Sequence, residues 1–380
     1  MWSIFRIFFG LGWVSFGGPA AHIGYFRREF VEQRQWLSDD EYAQLVALSQ
    51  FLPGPGSSQV GFAVGYQKGG LGGAIAAFLG FTLPSIILML VLAILSSQIT
   101  DTALFQNIIH GLKLLAVVVV ADAIWGMYKN FCKTELRVGL CFATAGALLI
   151  FPSLFMQMAV LIIAALVGFK LLPSEPIQQE SPVKISWRPL GLFLILLLIL
   201  PLFSTAIPSL QLFSDFYQAG SLVFGGGHVV LPLLQNIVGD QLSSDQFLTG
   251  YAAAQAVPGP MFTFATYIGY HLMPQAPFWG ALIATVGVFV PGFLLVLAVL
   301  KNWQVLAGKP KLAGAIAGVN AAVVGLLIAA LYNPVFTSAV SSGLDIALIL
   351  GGFYLLKQRK VSIIILVGFF IISGVLMSLF

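Results

Sequence analysis

Apolar residues run in long blocks along most of this chain, and the polar residues that interrupt them are few and clustered. Blocks such as "GFTLPSIILMLVLAIL" from Gly80 and "PLGLFLILLLILPLFSTA" from Pro189 approach the roughly 20 residues a helix needs to cross a bilayer. Barrel strands would instead read as about ten alternating residues. The pattern therefore predicts an all-α polytopic membrane protein. Composition agrees: of 380 residues, 59% are hydrophobic and 8% charged, against about 25% charged in soluble domains. Two places break the pattern in nearly the same words, "QFLPGPGSSQ" at residues 50–59 and "QAVPGPMFT" from Gln255. A proline inside a helix removes a backbone donor and clashes one turn back, so helices must stop and restart there, inside strongly apolar surroundings.

Those two breaks belong to an internal duplication. "SFGGPAAHIGYF" (from Ser15) lies over "VFGGGHVVLPLL" (from Val223) at an offset of 208. "WLSDDEYAQLVALSQFLPGP" lies over "QLSSDQFLTGYAAAQAVPGP" at 205, which sets Gln50 opposite Gln255 and Pro53 opposite Pro258. Gly73, Gly80 and Pro84 match Gly280, Gly287 and Pro291 at 207, and Lys113 falls opposite Asn320. The expected units are an N-terminal repeat over 1–170, a linker with a connecting transmembrane helix over 171–210, and a C-terminal repeat over 211–380. The polar stretch "KLLPSEPIQQESPVKISWR" reads as the solvated linker. The N-terminus has the outline of a secretory signal, but Arg6 interrupts its apolar run and the segment recurs in the second half.

Charge sets the orientation, because cytoplasmic loops are enriched in Lys and Arg. In the first half the basic loops carry Arg27, Arg28 and Arg34, then Lys129, Lys133 and Arg137; their second-half counterparts, "VGDQLSSDQ" and "YNPVFTSAVSS", have none. "SSQITDTA" and "FPS" lack basic residues, while their counterparts "KNWQVLAGKPK" and "KQRK" are rich in them. The repeats are thus expected to be inverted, with the FGG and PGP segments as re-entrant hairpins. Full spans are expected near 70–97, 104–126, 136–151, 154–170, 189–207, 276–300, 312–331, 342–356 and 361–379. With the N-terminus inside, seventeen of the eighteen basic residues are then cytoplasmic and Lys113 lies within a span.

Irregular backbone at membrane depth is tolerated where it lines a cavity or is buried in protein, and inverted repeats with broken helices are a recurring plan of secondary transporters. A helix restarting after Pro-Gly-Pro presents unpaired amides and the positive end of its dipole, an anion site. In the first half these come from Gly56, Ser57 and Ser58, next to Gly54; in the second, from the residues after Gly259, with Thr263 keeping a hydroxyl. The tips Gly17-Gly18 and Gly225-Gly226-Gly227 allow close backbone approach. Gln50 and Gln255 precede the breaks and are placed to bond freed carbonyls. His22 and His228 follow the tips, each as fit for packing as for ligand donation. Lys113, three residues from His110 on one helical face, is a costly intramembrane cation that serves either an anion or an acidic partner, with Asn320 its counterpart. Asp122 is expected to reach water or a neighbour. Gly61, Gly65, Gly69 and Gly73, four apart, read as close helix packing. Cys132 and Cys141 are too few for a disulfide framework or a zinc site.

With "FGGP…WLS…Q…PGP" in one half and "FGGGH…LS…Q…PGP" in the other, the chain resembles the chromate ion transporters in their long, two-domain form, across nearly its whole length. That resemblance implies a multi-pass protein of the bacterial cytoplasmic membrane that exports chromate, with sulfate a close isostere. The departure is the GSS/MFT difference after the two breaks, which leaves open whether both halves bind substrate equally. Partners would be the oxyanion, the lipid bilayer and a second copy in a homodimer; no nucleic acid, metal or cofactor is expected. Two other classes compete: a sulfate-type uptake transporter, and an assembly protein whose breaks serve packing. No HExxH, paired intramembrane acids, serine–histidine constellation or nucleotide loop points to an enzyme or a primary pump.

Overall fold

A computed structural model describes residues 1–16, 18–98, 103–172, 185–204, 207–224, 229–300 and 309–377. Among the described residues the chain is helical, with no strand. The first repeat opens with four pieces that alternate with sharp breaks: α1 (Trp2–Val14), α2 (Gly18–Arg27), α3 (Asp39–Phe51) and α4 (Gly56–Gln98). The second repeat inserts a connector, α8 (Trp187–Leu198) and α9 (Leu200–Ser204), and then repeats the series as α10 (Pro208–Leu222), α11 (Val230–Val238), α12 (Ser244–Ala256), α13 (Phe264–Leu272) and α14 (Pro277–Val299). At 13 and 10 residues, α1 and α2 fall short of a bilayer crossing. They flank the FGG segment, and Phe8 of α1 meets Phe26 of α2 with ring centroids 5.6 Å apart.

The second hairpin of each repeat is set by local chemistry at both ends. Ser38 and Ser243 start α3 and α12 with capping boxes, closed by Glu41 and Gln246, so each chain entry is specified by two reciprocal bonds. Pro-Gly-Pro then ends each helix. In the first repeat α4 restarts at Gly56 and turns at Gly69–Gly70, where the backbone leaves helical geometry. It is therefore a short returning arm, 56–68, followed by the long apolar helix 71–98. The glycines four apart do not form one helical ridge. Gly65 instead lies against the Gly73 carbonyl across that turn, as Gly269 lies against Gly280 in the second repeat.

The other helices are α5 (Ala103–Phe131), α6 (Glu135–Ile150) and α7 (Leu154–Leu171) in the first repeat, and α15 (Pro310–Ala330), α16 (Gly343–Lys357) and α17 (Ile363–Met377) in the second. Each expected span overlies a helix, although 189–207 is two helices, α8 and α9, parted before Pro201. Four segments among the described residues are long and apolar enough to cross a membrane: Gly56–Ser96, of which 71–96 lies beyond the turn at Gly69–Gly70, Gln106–Phe131, Pro277–Val299, and Pro310–Ala339, which kinks at Asn333.

Packing interleaves the repeats into two bodies. The hairpins pack with α4, α14 and α8, and Phe62 stacks on Phe293 across the repeats with ring centroids 4.3 Å apart. In the second body, α5 of the first repeat packs on α16 and α17 of the second, while α15 packs on α6 and α7. Glycines allow both exchanges at equivalent places. Gly111 touches Phe370 and Gly374, and Gly318 touches Ala164 and Gly168, the close backbone approach that drives helix association where lipid competes equally for apolar surface.

Candidate functional site

Both Pro-Gly-Pro tips are pinned by the opposite repeat. The Gly54 amide donates to the Val223 carbonyl at 2.7 Å, and the Gly259 amide donates to the Ser15 carbonyl at 2.8 Å. Each tip of one repeat thus bonds the residue that leads into the FGG segment of the other, a reciprocal contact of the kind two-fold symmetry produces. Both glycines have positive φ, +125° and +95°, where a side chain is strained. A Cβ on Gly54 would come within 2.9 Å of the Gly292 Cα, and one on Gly259 would overlap the Ser85 hydroxyl. Ser85 and Gly292 are themselves equivalent in the repeat.

The carbonyls freed by the breaks are taken up locally. Gln59 Nε2 donates to the Pro53 carbonyl at 2.9 Å and the Gly292 carbonyl at 3.2 Å, and the Ser85 hydroxyl donates to the Pro258 carbonyl at 2.6 Å. Gln59 and Ser85, which sequence alone did not single out, do this work. The sequence signal was available, since Gln59 is a polar residue one turn after a break.

Gln50 and Gln255 line a cavity of about 790 Å³ between the two bodies. Its wall on the hairpin side includes Gly18, Ser49, Gln50, Gly54, Gly56, Gln255, Gly259 and Met261. Gln50/Gln255, Gly54/Gly259 and Gly56/Met261 are equivalent pairs, so both breaks face one space. The opposite wall is the C-terminal half of α5, with Asp122 and Asn130, and the α16–α17 connection. The first intrahelical bond after the first break runs from Gln59 to Pro55, which leaves the amides of Gly56, Ser57 and Ser58 without a partner in their helix. After the second break a 3₁₀ turn bonds Thr263 N to the Pro260 carbonyl, leaving Met261 and Phe262. The GSS/MFT difference thus changes helix type as well as hydroxyl count.

Other candidates lie beside the cavity rather than on its wall. His22 is fully buried, with Nε2 3.1 Å from the Ser15 carbonyl and Nδ1 3.1 Å from Ser57 Oγ. A carbonyl only accepts, so Nε2 carries the proton and, in the neutral ring, Nδ1 accepts from the Ser57 hydroxyl. Ser58 is buried with its hydroxyl unpartnered, and the Thr263 hydroxyl returns to the Pro260 carbonyl at 2.8 Å. Lys113 pairs with Asp245 at the start of α12 and reaches the Ser338 carbonyl at 3.4 Å. One turn earlier, His110 Nε2 meets Asp345 at 2.7 Å. Asn320 is buried with its Oδ1 unpartnered. Gly17, Gly225, Gly226, Gly227 and His228 lie outside the described residues. No group of three or more potential metal ligands occurs among the described residues.

The chromate transporter family model matches residues 2–169 and 210–377. An uncharacterized transporter of Methanocaldococcus jannaschii is 27% identical over 98% of this chain and 94% of its own length. A probable chromate transport protein of Synechococcus elongatus is 30% identical, covering 86% of this chain and 82% of its own. A chromate transport protein of Pseudomonas aeruginosa is 29% identical, covering 86% and 79%. No solved structure matches the chain.

Proposed function

This chain belongs to the chromate transporter family, and from that premise we propose that it carries chromate, or an oxyanion of the same tetrahedral shape such as sulfate, outward across the bacterial cytoplasmic membrane. One observation carries the reading: equivalent residues from both broken hairpins, Gln50 with Gln255, Gly54 with Gly259 and Gly56 with Met261, line a single cavity. A tetrahedral oxyanion has acceptors in every direction, so it suits amides and glutamine donors arriving from two helix ends, whose dipoles also favour its charge.

Among the described lining residues there is no Lys, Arg or His. At the wall itself recognition then rests on backbone amides and side-chain amides, a donor set that tolerates chromate and sulfate alike; the Ser49 hydroxyl is already donated to the Val46 carbonyl at 2.8 Å. Export needs no partner ion. Moving one charge across 100 mV is worth about 2.3 kcal/mol, so a dianion leaving a negative interior gains about 4.6 kcal/mol. That corresponds to roughly three decades of concentration ratio.

Flux in proteoliposomes under an imposed potential tests this. Chromate movement toward the positive side, competed by sulfate, is the expected result. Potential-independent flux would replace the electrical drive with ion exchange, and absence of oxyanion flux or binding would defeat the reading.

A further inference from the structure

The cavity contains one feature that opposes its proposed cargo. Asp122 is the single carboxylate among the described lining residues, and a like charge beside a dianion is unfavourable. Asp122 Oδ1 sits 2.6 Å from the Lys357 ammonium, with the two side chains 33% and 35% exposed. Lys357 is the last residue of α16. Leu356 before it and Ser362, Ile363 and Ile364 after it all line the cavity, so the turn that holds Lys357, Arg359 and Lys360 is flanked on both sides by wall residues while its own cations stand off the wall. Of those cations, Lys357 is the one held by a cavity-lining carboxylate.

Resting on the reading that the cavity takes a tetrahedral oxyanion, we propose that Lys357 is the side-chain cation that receives it. Asp122 is the counter-ion that holds Lys357 in the empty state and yields it to substrate. The ammonium suits this exchange, because its three donors rotate on a flexible stem and turn from one acceptor to another without backbone movement. The competing carboxylate has two consequences. It keeps the cation solvated and in place when no anion is bound. It also weakens binding, because an anion must displace Asp122 to reach Lys357 and the displaced carboxylate then repels a dianion more than a monoanion of the same shape. Bound substrate is likewise held weakly enough to leave, as conduction requires.

Thermal stabilisation of the purified full chain in detergent, titrated with sulfate and with perchlorate, reads both properties. Asp122→Asn should tighten sulfate binding by roughly tenfold and perchlorate binding by less, because the lost carboxylate repels the dianion more strongly. Lys357→Gln should weaken sulfate binding by roughly tenfold, and Lys357→Arg should stay within a few-fold of the parent; these are the scale of one charge-assisted hydrogen bond. The double variant Asp122→Asn/Lys357→Gln leaves no unpaired charge to harm folding, and should bind sulfate as weakly as Lys357→Gln alone. Sulfate affinity unchanged in the double variant, or shifted in the same direction by both single changes, would make the pair structural and overturn the proposal. A parent protein that no oxyanion stabilises would remove the cavity reading itself, and this proposal with it.

Discussion

The Gly54 amide bonds the Val223 carbonyl at 2.7 Å, so the tip of the first repeat's broken hairpin is held by a residue of the second. Its mirror, Gly259 to Ser15 at 2.8 Å, makes the arrangement reciprocal. The tip amides are therefore spent on structure, and the groups left for an anion are those that follow: Gly56, Ser57 and Ser58 on one side, Met261 and Phe262 on the other. Three free amides against two make the first repeat the stronger proposed binder.

Replacing Gly54 or Gly259 by alanine should reduce oxyanion flux by more than tenfold, because positive φ costs a non-glycine residue about 1–2 kcal/mol and each Cβ meets the opposite repeat. The two sites should differ in rescue. Gly259→Ala collides with the Ser85 hydroxyl, so adding Ser85→Ala should restore part of the flux. Gly54→Ala meets the Gly292 backbone at 2.9 Å, which no truncation removes. Proteoliposome flux on these three variants decides it; equal flux in parent and single variants would show that the tips are not tightly fitted.

His22 and Ser57 should act as one unit. Either His22→Ala or Ser57→Ala leaves a buried polar group unsatisfied, at a cost of about 1–3 kcal/mol, and the double change should cost little more than His22→Ala alone. A double-mutant cycle on sulfate-dependent melting measures this. Ser57→Ala should also cost more than Thr263→Ala, whose hydroxyl only returns to its own turn. Additive effects of His22 and Ser57 would mean that their contact carries no energy.

Lys113 and Asp245 join α5 to α12, one in each body, and neither lines the cavity. Their repeat equivalents, Asn320 and Asp40, are not hydrogen-bonded to each other: Asp40 is exposed and Asn320 is buried. The molecule is closed at one such contact and open at the other. We predict that transport exchanges them. In a chain with Cys132 and Cys141 replaced by serine, a short bifunctional reagent across Lys113→Cys and Asp245→Cys should stop flux. The same reagent across Asp40→Cys and Asn320→Cys should react faster during turnover than at rest. Full flux in the first crosslinked pair would exclude the contact from the cycle.

Orientation follows from charge. The loop with Arg27 to Arg34 and the residues Lys309 and Lys311 should label from the cytoplasmic side, and residues 238–246 from outside. An impermeant external reagent reaching Lys309→Cys would rule out the inverted arrangement.

Much of this molecule follows from local physics. Pro53-Gly54-Pro55 stops a helix whatever surrounds it, Ser38 with Glu41 and Ser243 with Gln246 start one within four residues, and run length alone separates the short hairpin arms from the long helices. Duplicated words at matching offsets sufficed to pair Gln50 with Gln255 before any coordinates. What depends on which distant surface arrives was not legible. Nothing near Gly54 in sequence names Val223 as its acceptor, and nothing near His22 names Ser57, because contacts between residues so far apart in the chain form only when whole helices pack. Sequence leaves Lys113 to serve either an anion or an acidic partner, and only the arrival of α12 with Asp245 decides for the acid. Asp122, expected to reach water or a neighbour, finds that neighbour where α16 delivers Lys357 to it at the edge of the cavity. Local sequence determines where a helix can exist. Only the interleaving of the two repeats, set by long-range packing of glycine-lined faces, determines which charges end up facing each other.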